Sequence, residues 1–257
     1  MRVCRTIAEV RTALEPYRDG VIGLVPTMGA LHAGHLSLID AARSECSTVV
    51  MSLFVNPAQF GSPGDLNGYP RDETRDLEAA ADAGVDLVFA PNASEMYPPG
   101  FQTWVEVTDL GAVLEGEYRP GHFRGVATVC LKLFNIVGPD LVYFGQKDAQ
   151  QVAVLRQLIA DLALELELRA LPTVRDPDGL ALSSRNVRLS APERELAVAL
   201  PRALATRDPE RARALLDSAG VGVDYVEIAP FNPPVLAAAV RVGATRLIDN
   251  VSLEEDS

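Results

Sequence analysis

The sequence predicts an α/β fold, with a doubly wound parallel sheet in a first domain and a smaller α+β domain after it. Two observations support this prediction. Short apolar segments typical of strands alternate with segments of helical periodicity up to Pro172. Beyond Pro172 the pattern is mostly helical, with an apolar strand at 223–229 and a second candidate strand at 245–248. We therefore expect one domain over residues 1–173 and another over residues 174–257.

The first strand–helix–strand unit is the clearest part of the pattern. An apolar strand at 21–25 stops at Pro26, and a glycine-bearing turn follows. Apolar side chains then recur at helical spacing from Leu36 to Cys46, and a second apolar strand covers 48–55. Two strands joined through a helix lie parallel in one sheet, so this unit predicts a parallel sheet.

The remaining elements continue the alternation. In chain order, the first domain is predicted to contain a helix at 74–83, a strand at 85–89, a short alternating strand at 104–107, a loop at 116–125, a buried helix at 126–137, a strand at 141–144, a helix at 150–162 and a strand at 165–171. In the second domain, a capping box of Ser190 and Glu193 begins a helix that reaches about Leu204.

The composition is that of a folded globular protein. Of its 257 residues, 48% are hydrophobic, and 23 basic residues against 35 acidic ones give a net charge of −12. This excess of acid argues against a nucleic-acid partner, because duplex binding needs a basic face. Cys4, Cys46 and Cys130 form no C-x-x-C pair, and we find neither a signal peptide nor an apolar run that could span a bilayer. We expect a cytoplasmic protein with reduced thiols and no membrane partner.

Three unusual loops follow strand ends, at 26–35, 56–71 and 145–148. Ligands of open α/β sheets bind beyond the carboxyl ends of the strands, where these loops are expected. The first loop holds His32 and His35, two of the three histidines in the chain, at the start of a helix that favours an anion. Imidazoles there suit a phosphate that gains charge during a reaction. The alternatives are two surface histidines or two metal ligands, although no third ligand stands at metal spacing.

The other polar loops give weaker signals. Lys147, one of only two lysines, suits phosphate oxygens but could be an ordinary solvated residue. The hydroxyls and arginine at 183–185 could wrap a triphosphate, although S-S-R-N is also common loop composition. The amides of Asn56 and Gln59 could hold a hydroxyl or a carboxylate. The loop at 119–124, with a histidine and two arginines, could equally be solvated.

Seven segments recur in an order that one known family shares. They are P-T-M-G-A-L-H-A-G-H at 26–35, F-V-N-P-A-Q-F at 54–60, Y-P-R at 69–71, R-P-G-H-F-R-G at 119–125, F-G-Q-K-D at 144–148, G-L-A-L-S-S-R-N at 179–186 and R-L-I-D-N at 246–250. Together they resemble the pantoate–β-alanine ligase family of the H-x-G-H nucleotidyltransferase superfamily, over nearly the whole chain. The resemblance implies a Rossmann-like first domain and a smaller C-terminal domain that acts as a lid.

The resemblance also implies a two-step ligation that consumes ATP. The carboxylate of (R)-pantoate attacks the α-phosphate of ATP and releases pyrophosphate. The amine of β-alanine then displaces AMP from pantoyl adenylate and gives pantothenate. This chemistry depends on positioning and charge neutralisation more than on covalent catalysis. Mg²⁺ would travel with the ATP phosphates and need few protein ligands. The family is typically a cytoplasmic homodimer.

The resemblance assigns roles to individual residues. His35 takes the proton-donor position, and His32, Lys147 and Arg185 complete the catalytic set. The implied ATP-binding residues are Pro26, Thr27, Met28, Gly29, Ala30, Leu31, His32, Ala33, Gly34, His35, Gly145, Gln146, Lys147, Asp148, Val174, Leu182, Ser183, Ser184 and Arg185. The implied pantoate and β-alanine residues are Met28, Asn56, Gln59, Arg119, His122 and Gln151. Ala149 departs from the family, which usually has an aromatic residue at that position.

Rival functions share part of this pattern. Another H-x-G-H adenylyltransferase would leave AMP on its product, and a non-catalytic homologue would bind ATP without turnover. An aminoacyl-tRNA synthetase would share the superfamily, but this chain is short and acidic. Asn56, Gln59 and the 119–124 loop match the ligase, and free AMP as a product would separate it from the adenylyltransferase.

Overall fold

The computed structural model describes residues 1–254, which form two compact units. The first unit comprises Met1–Phe144 and Val154–Leu171. The second unit comprises Gly145–Ala153 and the chain from Pro172 onward. None of the helices within residues 1–254 combines the length and apolar character needed to cross a bilayer.

A six-stranded sheet lies at the centre of the first unit. Its strands are β1 (Arg2–Cys4), β2 (Ile22–Thr27), β3 (Thr48–Leu53), β4 (Leu87–Phe89), β5 (Leu141–Gly145) and β6 (Glu167–Leu171). The order across the sheet is β1-β4-β3-β2-β5-β6, and the pairs β1–β4, β4–β3, β3–β2 and β2–β5 are parallel. The chain winds one way from β2 to β3 and the other way from β5 to β6, so the topological switch point lies between β2 and β5.

Helices accompany these strands along the chain. They are α1 (Ile7–Leu14), α2 (Ala33–Glu45), α3 (Pro63–Asn67), α4 (Glu73–Asp82), α5 (Ala93–Met96), α6 (Thr108–Ala112), α7 (Glu115–Tyr118), α8 (His122–Val137) and α9 (Ala149–Asp161). Helix α2 contributes Leu38, Ile39 and Ala42 to a core that also contains Val25 of β2 and Val49 of β3. Strands β2 and β3 are buried over most of their length, which explains their unbroken apolar sequence.

The second unit contains an antiparallel sheet and three helices. The sheet has the order β7-β8-β9, from β7 (Gly222–Ala229), β8 (Val235–Val242) and β9 (Thr245–Ser252). The helices are α10 (Ala191–Ala197), α11 (Ala199–Leu204) and α12 (Pro209–Ala219). Leu200 and Leu204 of α11 and Leu216 of α12 share a buried core with Leu236 and Val240 of β8.

The predicted fold class is confirmed, with a parallel sheet first and a smaller mixed unit after it. The strands predicted at 21–25, 48–55, 85–89, 141–144 and 165–171 correspond to β2 to β6 within a few residues. The proposed division at residue 173 stays a prediction. The contacts of the second unit include residues 145–153, which the sequence pattern places in the first domain.

The strand predicted at 104–107 was wrong for this chain. The segment forms no strand within residues 1–254, although Val107 has extended backbone angles. The Val105 N–H instead donates to Thr128 Oγ1 of α8 over 3.0 Å. The Thr128 hydroxyl lies 2.7 Å from the Arg124 carbonyl oxygen and 3.4 Å from that of Val105, so its single hydrogen goes to Arg124. A side chain therefore takes the place of the neighbouring strand for the N–H of Val105.

Three further expectations differ from the structure. Strand β8 was not predicted, because its sequence V-L-A-A-A-V-R-V is rich in alanine and lacks alternation. The predicted 190–204 helix is two helices, separated at Val198, because Pro201 has no N–H to continue the ladder. The loop predicted at 116–125 contains the end of α7 and the first turn of α8.

Candidate active site

The loop between β2 and α2 is held in an unusual conformation by a buried carboxylate. Gly29 and Ala30 both have positive φ, +83° and +52°. Asp76 of α4, only 2% exposed, accepts the N–H of Ala30 over 2.9 Å and the N–H of Leu31 over 2.8 Å. A Cβ at Gly29 would lie 2.7 Å from the Asp76 carboxylate, so a glycine is needed there.

Asp76 is a functional candidate that the sequence analysis missed. A usable signal was present, because Asp76, Ala80 and Ala83 recur at the spacing of one helix face. A carboxylate on a face that is otherwise apolar is expected to have donors there, since a buried charge must be compensated. Here those donors are the backbone N–H groups of the loop that leads to the histidines.

His32 and His35 each use one ring nitrogen to hold the start of α2. His32 is the N-cap, and its Nδ1 accepts the N–H of Gly34 over 3.1 Å. The N–H of His32 in turn points to Nδ1 of His35 at 3.4 Å. The ring centroids are 4.2 Å apart. Because Nδ1 accepts in both rings, a neutral imidazole carries its proton on Nε2, where it can be donated.

The turn after β3 orients Gln59 by way of Asn56. Asn56, 1% exposed, donates from Nδ2 to Gln59 Oε1 over 2.9 Å and to the Gly125 carbonyl over 3.2 Å. Its Oδ1 accepts from the Tyr97 hydroxyl over 2.8 Å and from the Ala58 N–H over 3.3 Å. The oxygen of Gln59 is therefore engaged, and its amide nitrogen is the end that can donate to a ligand carboxylate or hydroxyl.

His122, the first residue of α8, fixes the backbone of the same glutamine. Its Nδ1 lies 2.9 Å from the Gln59 carbonyl oxygen, and its Nε2 lies 3.2 Å from Nη1 of Arg119. A guanidinium only donates, so Nε2 accepts and Nδ1–H donates to the carbonyl. His122 and Asn56 thus hold Gln59 from two sides, and the structure brings these predicted residues together in the first unit.

In the second unit, Lys147 lies in a short 3-10 segment, Gln146–Asp148, just before α9. Its Nζ is 3.5 Å from the Asp148 carboxylate, and 17% of the side chain is exposed. The carbonyl oxygens of Gln146 and Lys147 both accept from the Asn250 amide at 2.9 Å. Gln151, two residues into α9, is half-buried.

The residues from Val174 to Leu182 form a hairpin-like loop. Arg175 and Ala181 pair in an isolated antiparallel bridge, and the N–H of Leu182 donates to the Val174 carbonyl over 2.9 Å. The two predicted residues at its ends, Val174 and Leu182, are therefore in contact in the second unit.

The segment after this loop begins another 3-10 turn, Ser184–Arg188. Ser183 Oγ caps it by accepting the Arg185 N–H over 3.2 Å, and both side chains are half-buried. Asn186 donates to the Ala181 carbonyl over 3.0 Å, while its Oδ1 is buried without a hydrogen-bond partner in residues 1–254. An unused acceptor of this kind is uncommon in a folded protein.

The structure offers neither a reactive thiol nor a protein cage for a metal in the part it describes. Cys4, Cys46 and Cys130 are buried and free, and burial raises the pKa of all three thiols, that of Cys130 to about 12. Within residues 1–254, no group of three or more His, Cys, Asp or Glu side chains could hold a metal ion. The hydrogen-bond donors and cations of the loops at 26–35, 145–148 and 183–185 suit phosphate ligands.

Comparisons with known proteins agree over the whole length of the chain. A sequence profile described as "Pantoate-beta-alanine ligase" matches residues 2–252. The pantothenate synthetase of Chloroflexus aurantiacus is 51% identical, with 99% of each chain covered. The crystal structure of pantothenate synthetase from Thermus thermophilus has a TM-score of 0.94 at 44% identity, covering 99% of this chain and 100% of that one. That of the pantoate-beta-alanine ligase from Francisella tularensis, complexed with beta-gamma ATP and beta-alanine, has a TM-score of 0.90 at 37% identity, covering 98% and 97%.

Proposed function

The chain belongs to the pantoate–β-alanine ligase family, and from that premise we propose how its own residues perform the reaction. The chain is an enzyme that condenses pantoate with β-alanine in an ATP-dependent ligation. The pantoate carboxylate attacks the α-phosphorus of ATP, pantoyl adenylate forms and pyrophosphate leaves. The β-alanine amine then attacks the acyl carbon, loses a proton and displaces AMP, which completes pantothenate.

The observation that carries the assignment is the orientation of the two imidazoles at the start of α2. Both Nδ1 atoms accept backbone N–H groups, so a neutral ring presents Nε2–H as a donor. During the first step, negative charge moves onto the departing pyrophosphate. His35 would donate a proton or hydrogen bond to the phosphates, and His32 would assist beside the N-terminus of α2.

The remaining nucleotide contacts are assigned from the motifs. Lys147, Ser183 and Arg185 would contact phosphate oxygens, since an ammonium, a hydroxyl and a guanidinium are suited to anions. The rest of 26–35, 145–148 and Ser184, with Val174 and Leu182, would complete ATP binding. These roles rest on the family motifs and on the chemistry of the side chains.

Pantoate would bind next to Gln59 in the first unit. Its carboxylate or hydroxyls would accept from the Gln59 amide nitrogen, because the amide oxygen is engaged by Asn56. Asn56 and His122 make several internal hydrogen bonds, which supports orientation of Gln59 as their main contribution. Met28, Arg119 and Gln151 would contact the substrates, as the family resemblance implies.

Mg²⁺ would enter with ATP. The ion prefers six oxygen ligands and gives up its waters reluctantly, so phosphate oxygens and water can fill its sphere. The described residues supply no cluster of three carboxylates, histidines or thiols for it. The ion would neutralise phosphate charge while the histidines, Lys147 and Arg185 hold the oxygens in place.

The family resemblance also leads us to propose a homodimer in the cytoplasm. An interface on the first unit is supported by the segment at 104–107, whose alternating sequence is typical of a strand and whose Trp104 is 43% exposed. A second copy of this segment, related by a twofold axis, could pair with it edge to edge. The buried, free cysteines accord with a reducing compartment.

The activity is tested by incubating the protein with ATP, Mg²⁺, pantoate and β-alanine, and by omitting each substrate in turn. Mass spectrometry should find pantothenate and free AMP only when all three substrates are present. Pantoate labelled with ¹⁸O in its carboxylate should transfer one ¹⁸O atom to AMP, because the attacking oxygen remains on phosphorus. AMP retained on the product would indicate an adenylyltransferase, and ATP binding without turnover would indicate a non-catalytic homologue.

A further inference from the structure

The last family motif, R-L-I-D-N at 246–250, contains none of the residues assigned to ATP, pantoate or β-alanine. Its final two residues lie on β9 and are polar but buried, Asp249 at 3% and Asn250 at 5% exposure. Buried polar side chains must find partners or cost free energy, so their bonds identify what they hold.

Asn250 holds the backbone on which Lys147 is placed. Its Nδ2 donates one hydrogen to the Gln146 carbonyl and one to the Lys147 carbonyl, each over 2.9 Å. Both amide hydrogens are therefore used on consecutive carbonyls of the short segment that carries the lysine. A hydroxyl could satisfy only one of them, and a carboxylate would repel both.

Asp249 holds the other proposed phosphate-contacting segment through an arginine. Its carboxylate accepts from Nη1 and Nη2 of Arg175 over 2.6 and 3.1 Å, a two-point contact. Arg175 also donates to the Gly179 carbonyl over 3.1 Å and pairs with Ala181 across the loop. That loop leads directly into Ser183 and Arg185.

Asp249 and Asn250 are also linked to each other by hydrogen bonds. The N–H of Asn250 donates to Asp249 Oδ1 over 2.8 Å, and Arg175 Nη2 lies 3.4 Å from the Asn250 carbonyl oxygen. Two neighbouring residues of one strand thus fix two loops that are far apart in sequence. Both loops are therefore held by the same strand, β9, within the second unit.

We propose that Asp249 and Asn250 are positioning residues, which set the Lys147 segment and the 183–185 segment for the nucleotide phosphates. This proposal rests on the assignment of Lys147 to the phosphates in the proposed function. Asn250 acts through Lys147 and touches no reacting atom. Its loss should lower kcat of adenylate formation more than it raises KM for pantoate, because a lysine held loosely stabilises the developing phosphate charge poorly.

The test is a double-mutant cycle on the full chain. It measures kcat, KM for ATP and KM for pantoate for Asn250→Ala, Lys147→Ala and the double variant. We expect Asn250→Ala to lower kcat about 10- to 100-fold, the usual loss when a residue that holds a functional group in place is removed, with KM for pantoate within about twofold. The double variant should be no slower than Lys147→Ala alone. Asn250→Asp, of equal size, should be at least as slow as Asn250→Ala, and Asn250→Gln should recover part of the rate.

Asn92→Ala is the matched control for stability. Asn92 caps α5 in the first unit, where its Oδ1 accepts the Glu95 N–H over 2.8 Å. It should lower Tm without changing kcat, while hydrogen exchange of the 145–149 amides should increase in Asn250→Ala alone. The proposal would be overturned if the fold-decreases in kcat of Asn250→Ala and Lys147→Ala multiplied in the double variant. An unchanged kcat in Asn250→Ala would overturn it as well. An unimpaired Lys147→Ala would also overturn it, and would show that the fault lies in the proposed role of Lys147.

Discussion

The side chains of His32 and His35 both begin α2 and provide the proton donors proposed for the reaction. The H-x-G-H spacing places His32 at the N-cap and His35 at the third helical position, where each Nδ1 can accept a backbone N–H. The same bonds that begin the helix therefore select the ring nitrogen that carries the proton. Gly34 between them leaves the backbone open to a ligand, since it has no side chain.

We predict that His35→Ala lowers the rate of adenylate formation about 100-fold or more, in the range that loss of an acid–base group causes. His35→Gln is the matched control, because glutamine at this position can accept the His32 N–H, while its amide is too weak an acid to transfer a proton to the phosphates. It should keep the wild-type Tm and remain as slow as His35→Ala. The rate is measured by the release of pyrophosphate. Turnover at the wild-type rate in either variant would refute the role of His35.

At Gln59 we predict a specific loss of pantoate binding. Gln59→Ala should raise KM for pantoate about 10- to 150-fold, as expected for one hydrogen bond to a charged group, and leave KM for ATP nearly unchanged. Gln59→Glu should be worse, because it keeps the oxygen that Asn56 contacts but places a negative charge where the donor was. Equal losses of affinity for pantoate and ATP would mean that Gln59 is structural.

At the scale of elements, α8 approaches the 56–59 turn through a glycine. A Cβ at Gly125 would clash with the Ala58 carbonyl and lie 2.7 Å from the Gln59 backbone nitrogen. Alanine favours a helix over glycine by about 1 kcal/mol, whereas overpacking costs about 1–3 kcal/mol. The second effect should dominate, because the clash is with backbone that cannot rotate away.

We therefore predict that Gly125→Ala lowers Tm and raises KM for pantoate by displacing the turn. Gly61→Ala is the matched control, since a Cβ there would meet nothing within 4 Å. Thermal unfolding and steady-state kinetics of the two variants check the prediction. A Gly125→Ala protein as stable and as tight for pantoate as Gly61→Ala would contradict it.

The capping box of α10 gives a prediction on pH. Bonds from the Ser190 N–H and hydroxyl to Glu193 lower the pKa of that carboxyl. A depressed folded-state pKa means that the stabilisation is complete above the unfolded value of about 4.3 and is lost as the pH falls through the folded value. Glu193→Gln should therefore lower Tm at pH 7, and the difference in Tm should shrink as the pH falls below about 4.3. Glu195→Gln, which removes an exposed charge from the same helix, should show no such difference.

At the scale of the whole molecule, the proposed homodimer makes a direct prediction. Sedimentation should give twice the chain mass of 27.6 kDa. Trp104→Glu should yield the monomer, since it places a charge in the proposed strand-to-strand interface. Val187→Glu, at a residue 80% exposed in the second unit, should remain a dimer. A wild-type chain that sediments as a monomer would end the proposal of a dimer.

Much of the fold was predictable because the strands and helices of a parallel sheet have recognisable sequence patterns. Buried strands such as β2 and β3 are continuously apolar, and their helices repeat with helical periodicity. Strand β8 was not predictable, because alanine-rich sequence suits a buried helix as well as a strand. The segment at 104–107 shows the reverse case, in which a strand-like pattern has no strand beside it within the described chain.

The fold class, the family and the identity of the chemical groups were predictable from the chain alone, because periodicity and motif spacing are local properties. Only the tertiary structure showed what holds those groups. Asp76 is 46 residues from the loop it fixes, His122 is 63 residues from Gln59, and Asn250 is 103 residues from Lys147. The partner of a buried polar group is set by which segments the packing brings together, and that choice is not encoded in the neighbouring residues.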